Sequence, residues 1–321
     1  MVSYLIPGLS AFCLVWLLMP VARVVALKAK LLDLPRGRKS HAQPMPLSGG
    51  LAMFAGVAAV SIFFAGVQKL VAVLLGGSLL LVAVGWLDDT YKTRGKDFPA
   101  LPKLLMQLLA GLLAFASGIR FRGLGFSWIG GEAGDYYLFP LWLSCLATLL
   151  WITGLINMIN FLDGVDGLAA GATVFSAITL FFLAYVKGQG LTALVAIVLA
   201  GAALGFLRFN FFPAKMFMGD TGSMFLGYAL ALVSLEGAMK GATLITLVVT
   251  VLALGLPVID TVQVMVSRAM AGSPMYQADR RHVHHRLMSL GLSAKQTVVI
   301  LYLVSFLFSA LSLLLFFWII P

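Results

Sequence analysis

Charge is what this sequence has least of. Only 11% of its 321 residues are Asp, Glu, Lys or Arg, against about a quarter in a soluble domain. Apolar side chains make up 61%, and the mean hydropathy is +1.02. One water-soluble core cannot take in that much apolar surface, so lipid is the natural solvent. Cysteine is nearly absent. The 2 that exist, Cys13 and Cys145, each sit in an apolar run, which excludes a disulfide framework and zinc-finger spacing. Haem motifs are missing too. The opening stretch "MVSYLIPGLSAFCLVWLLMP" lacks a basic leader and a small-residue cleavage site, so it reads as a first membrane span. No repeat or low-complexity stretch divides the chain, and residues 1–321 read as a single polytopic membrane domain.

What is there is a series of apolar runs long enough to cross a bilayer as helices. Ten are expected, at 3–27, 48–66, 70–88, 101–118, 138–157, 168–186, 190–207, 222–237, 242–268 and 297–320. The fold class is therefore all-α and integral to the membrane. Only "KGQG" separates the sixth and seventh runs, which predicts a tight helical hairpin. Pro257 and Asp260 interrupt the ninth and predict a kink or break. The stretch at 119–137 carries Gly-Gly and alternating aromatics and reads as a structural hairpin.

Ten spans put both termini on one side and five loops on the other. Those loops and the adjoining helix ends hold 17 of the 22 Lys and Arg residues. The positive-inside rule then places the five loops in the cytoplasm and both termini outside. The net charge of +10 is mainly this topology signal and calls for no nucleic acid. It also suits anionic lipid and phosphate ligands.

Every concentrated polar motif falls on those five loops. Asp88 and Asp89 close the third run. Two acids at a helix C-terminus oppose its dipole and need a compensating cation. "NMINFLDGVDG" brings Asn157, Asn160, Asp163 and Asp166. Asp166 could cap the next helix, but one cap does not account for two Asp and two Asn. The spacing is not that of a calcium-binding loop. "RFNFFPAKMFMGDTGS" brings Asn210, Lys215 and Asp220 ahead of a helix N-terminus. Such a start offers backbone N–H groups to phosphate, and the carboxylate offers a hard ligand to Mg²⁺. "RRHVHHR" holds His282, His284, His285 and Arg286. Zinc is one reading, but the neighbouring arginines repel a cation, and a pyrophosphate fits better. Arg38, Lys39 and His41 form a basic loop after the first span, either a topological anchor or an anion site. Asp260 could pair with a base or cap the helix break. Together these are the parts for phosphoryl transfer between a soluble nucleotide donor and a lipid acceptor.

From "RKSHAQPMPLSGG" to "HVHHRL", in this order, the motifs resemble the polyprenyl-phosphate N-acetylhexosamine-1-phosphate transferases, glycosyltransferase family 4. The interrupted "HVHH" is similar to the branch that uses UDP-GlcNAc or related UDP-N-acetylhexosamines, not to the UDP-MurNAc-pentapeptide branch. The resemblance implies ten or eleven spans, a homodimer in a bacterial inner membrane, and Mg²⁺, with Mn²⁺ as a substitute. It places Asp88 and Asp89 near the acceptor phosphate and Asp220 on the magnesium, with Asn160 beside it. Asn157, Asp163 and Asp166 share with Asn160 a loop around pyrophosphate and uridine. Asp163 joins the paired acids as a catalytic candidate. Lys103 and Asn210 match site residues, and His282, His284 and His285 match the motif near sugar and phosphate.

The expected reaction moves N-acetylhexosamine-1-phosphate, GlcNAc-1-phosphate above all, from a UDP-sugar to undecaprenyl phosphate, in the first membrane step of envelope polysaccharide synthesis. Phospho-MurNAc-pentapeptide transfer is the alternative. A secondary transporter would carry its charges at mid-membrane, and an intramembrane aspartyl protease would have Gly where Phe217 stands.

Overall fold

Each long apolar run carries a helix. The computed structural model describes residues 2–34, 44–125, 136–237, 244–271 and 281–319. Among them are twelve helices and four short strands. α1 (Val2–Lys28) leads to the two-residue strands β1 (Leu32–Asp33) and β2 (Met45–Pro46), which pair antiparallel. Then come α2 (Gly49–Ala65), α3 (Lys69–Thr93) and α4 (Ala100–Ala116). β3 (Gly123–Gly125) and β4 (Tyr136–Leu138) pair antiparallel, in line with the hairpin expected at 119–137, and the Gly-Gly of that stretch lies outside the described residues. α5 (Leu141–Leu162), α6 (Leu168–Val186), α7 (Gly190–Asn210) and α8 (Gly219–Gly237) follow. The chain ends with α9 (Leu244–Ala253), α10 (Gly255–Met270), α11 (Val283–Ser289) and α12 (Ala294–Ile319).

α8 is the hub. It packs between α3 and α5, with α2, α6 and α7 beside it. Glu236 alone among its residues is not buried. α1 and α12, by contrast, present Leu5, Leu9, Leu17, Leu303, Leu307 and Leu314 outward. Helices that are apolar on every side need lipid around them.

Among the described residues, six helices are long and apolar enough to cross a membrane, or seven if the bent α9–α10 pair is one span. The chain is thus an integral membrane protein. α2 and α4, at 17 residues each, are apolar but shorter. α8 is not among the six, and the cause is visible: it opens on Gly-Asp-Thr-Gly-Ser and is solvated by protein, not lipid.

Three local expectations need correction. Asp88 and Asp89 do not end α3, which runs on to Thr93. The ninth run does break, with an 88° bend, but at Leu254. Pro257 falls in the first turn of α10, where a missing N–H costs nothing. Asp166 does not cap α6, whose N-cap is Gly167 with φ 81°.

Candidate active site

Adjacent residues on a helix point about 100° apart, so Asp88 and Asp89 cannot share surroundings. Both are buried, 2% and 1% exposed. Asp88 turns toward Lys92, one helical turn on (3.2 Å), and Lys103 of α4 (2.7 Å). Those lysines also grip Asp220 in the first turn of α8. Lys92 reaches its Oδ1 at 2.5 Å, and Lys103 holds Oδ2. Asp89 turns the other way, to the start of α8, where its oxygens accept hydrogen bonds from Asp220 and Thr221. The cations that offset two acids near a helix C-terminus come from the same helix and the next.

α5 delivers the second group. Asn160 donates to Ser223 (2.8 Å), one turn along α8 from Asp220. Asp163 caps α5, and burial, then the charges of Asp220 and Asp89, push its carboxyl well above the usual range. Asn157 lies deeper, its amide engaged with Gln107 (2.9 Å) and the Thr153 carbonyl (2.7 Å). Asp166 and Asn210 clip two loops together. Asp166 accepts from the Ala214 N–H (2.9 Å). Asn210, 2% exposed, accepts from the Gly167 N–H (3.0 Å) and donates to the Met216 carbonyl (2.9 Å). Tyr302 of α12 closes the clip by donating to the Gly167 carbonyl (2.6 Å). Lys215 is exposed on the same loop.

The histidines arrive on α11, and α10 supplies their acid partner. Asp260 meets His282 Nδ1 at 2.7 Å and accepts the Val283 N–H at 2.7 Å, so it pairs with a base and caps α11, not the helix break. His284 is buried with no hydrogen-bond partner on either ring nitrogen. Burial, then neighbouring His285, lowers its pKa to about 4, so it is neutral at pH 7. It lies against the loop after Asp163: a carbon added to Gly164 would stand 2.9 Å from Nε2. His285 is half-buried beside it, with ring centroids 4.3 Å apart. Arg286 is exposed and, with Arg281, heads a groove of about 810 Å³ along Ile259, Val262, Val266 and Met270 of α10. Arg38, Lys39 and His41 lie outside the described residues.

Sequence reasoning counted Lys92 only as a topology marker and passed over Gln107, Thr221 and Ser223. The four-residue step from Asp88 to Lys92 was the available signal. The other three give no signal without the packing of α4 and α5 against α8.

The sequence profile described as Glycosyl transferase family 4 matches residues 71–238. That stretch holds the paired acids, both lysines, the Asp163 loop and Asp220. A protein of Bacillus subtilis (strain 168) named "Probable undecaprenyl-phosphate N-acetylglucosaminyl 1-phosphate transferase" is 35% identical over 96% of this chain and 84% of its own. The chain belongs to glycosyl transferase family 4. The "Decaprenyl-phosphate N-acetylglucosaminephosphotransferase" of Mycolicibacterium smegmatis is 34% identical, over 92% of this chain and 78% of its own. The "Undecaprenyl-phosphate alpha-N-acetylglucosaminyl 1-phosphate transferase" of Escherichia coli (strain K12) is 27% identical over 95% and 82%.

The family 4 site has the chemistry for a divalent ion. Two carboxylates (Asp88 and Asp220) face two ammonium groups, and Asp89 and Asp163 stand close enough to add to the field at Asp220. Among the described residues no three acidic or imidazole groups converge to hold a metal unaided.

Proposed function

We propose that this protein transfers GlcNAc-1-phosphate from UDP-GlcNAc to undecaprenyl phosphate and releases UMP, as the first membrane step of an envelope polysaccharide. The observation that carries this reading is the Asp88–Lys92–Asp220–Lys103 cluster at the N-terminus of α8. The names of the relatives agree with it.

Asp220, with Asn160 and Asp163, would hold Mg²⁺ or Mn²⁺. The ion's part, when bound, is to neutralise charge on the diphosphate as it divides. An oxygen of the acceptor phosphate attacks the β-phosphorus. A new P–O bond forms, the bond to the bridging oxygen breaks, and UMP takes that electron pair. The acceptor is largely dianionic at neutral pH, so Asp88 has more to do in orientation than in taking a proton. Lys92 and Lys103 have ammonium groups already aimed at the site and can exchange a carboxylate oxygen for a phosphate oxygen. His284 packs its ring against Gly164 and so supports the loop that carries Asp163. The α10 groove, apolar below two arginines, fits a prenyl chain with its phosphate at the top.

In this reading the chain makes ten helical passes, with α2 and α4 as short spans at the rim and α8 crossing inside the bundle. The five polar loops face the cytoplasm of a bacterial inner membrane, both termini lie outside, and two copies form a homodimer. The test is UMP release by purified protein with undecaprenyl phosphate, Mg²⁺ and, separately, UDP-GlcNAc, UDP-GalNAc or UDP-MurNAc-pentapeptide. Release with UDP-GlcNAc that needs both lipid and metal, and that Asp220→Ala abolishes, is expected. Release with the pentapeptide donor alone would overturn the substrate, and metal-independent release the site.

A further inference from the structure

Paired acids at one site invite a paired role, yet the two carboxylates part company. Asp88 bonds to ammonium groups. Among the described residues, the hydrogen bonds to Asp89 all come from one place, the first turn of α8. Its Oδ1 accepts the Asp220 N–H at 2.9 Å. Its Oδ2 accepts the Thr221 N–H at 3.2 Å and the Thr221 hydroxyl at 2.7 Å. It is 1% exposed, and three donors from α8 occupy its two oxygens.

We propose that Asp89 is a positioning residue: it fastens the N-terminus of α8 to α3 and thereby fixes the direction of Asp220. The first N–H groups of a helix have no partner within it. A cap normally comes from the residue just before the helix. α8 has no such side chain, because that place is held by Met218 and the helix opens on Gly219. Asp89 supplies the cap from another helix, and its negative charge sits where the helix dipole favours it. Two glycines permit the approach. A carbon added to Gly85 would lie 2.6 Å from the Thr221 nitrogen. One added to Gly219, whose φ is 67°, would overlap the Asp89 carboxylate. The backbone N–H that Asp89 grips belongs to Asp220 itself, so a shift there is a shift of the metal-binding carboxylate. The inference rests on the proposed metal role of Asp220.

The test uses full-length protein in detergent and the variants Asp89→Asn, Thr221→Val and Asp88→Asn. The first readout is hydrogen exchange of the peptide spanning the start of α8. The second is the Mg²⁺ concentration for half-maximal UMP release. Asp89→Asn puts an amide where two donors point. It is expected to speed exchange at 220–221 and raise the Mg²⁺ requirement about tenfold, with turnover at saturating Mg²⁺ falling much less. Thr221→Val removes one bond and keeps the buried charge, so it should give a weaker form of both effects. The double variant should be no worse than Asp89→Asn. Asp88→Asn should leave exchange at 220–221 alone and cut turnover. Wild-type exchange in Asp89→Asn, or lost turnover with an unchanged Mg²⁺ requirement, would overturn the proposal. If Asp89→Asn does not fold, Thr221→Val decides by the same two readouts. If the wild type releases no UMP, the proposed reaction falls, while the exchange measurement still judges the fastening of α8.

Discussion

His284 is the residue whose surroundings say most about ligand binding. A buried imidazole normally finds a partner, since an unmade hydrogen bond costs about 1–3 kcal/mol. Here both nitrogens go without. The group is also depressed from 6.5 to about 4. The unfolded chain therefore takes up its proton near pH 6.5 while the folded chain resists until about pH 4. The contribution of this group to stability is full above pH 6.5 and declines as the pH falls toward 4. Comparing thermal midpoints of the wild type and His284→Phe at pH 7.5 and pH 5 checks this. The wild type should lose more on acidification, and the difference between the two proteins should shrink or reverse at pH 5. Much of the residue scale was legible beforehand, because Asp, Asn, His and Lys are rare in this chain and conspicuous. What the residues touch was not. Asp88 and Asp89 look identical in sequence, and only the 100° step between them, set against α4 and α8, separates their surroundings.

Among elements, the contact between α3 and α8 carries the site. Their backbones approach at Gly85 and Thr221, with little room between. Gly85→Ala is expected to push the helices apart, at a cost of about 1–3 kcal/mol as for other overpacked sites. The lysines would then lose their bridging geometry to Asp220. Thermal unfolding and UMP release together check it, and activity should fall further than the loss of fold explains. The helices themselves were readable from hydrophobic runs, and the tight α6–α7 turn from its polar residues. Helix ends were less so. α3 and α5 run past their apolar stretches, because Lys92, Asn157 and Asn160 find partners in neighbouring helices that no single run of sequence reveals.

Across the whole molecule, polar groups from helices far apart in sequence gather around the ends of α3, α5 and α8, and the α10 groove opens beside the histidines. A charge in that groove should weaken the lipid acceptor and spare the nucleotide donor. Val266→Asp is expected to raise the KM for undecaprenyl phosphate about tenfold or more, leaving the KM for UDP-GlcNAc within about threefold. Steady-state titration of each substrate reads both. The succession of apolar helices was legible from hydropathy, but six or seven of the described helices, not ten, are long and apolar enough to be candidate spans. An apolar helix enclosed by protein and one enclosed by lipid look alike as a run of letters, and α8 is the case in point.

The burial of α8 has a consequence for where the enzyme can work. Bilayers differ in thickness and fluidity, and helices that touch lipid tilt and stretch to suit. α8 touches almost none, so the carboxylate at its tip keeps its bearing while the outer helices adjust. The bundle acts as a gimbal: the rim follows the membrane, and the instrument at its centre stays level.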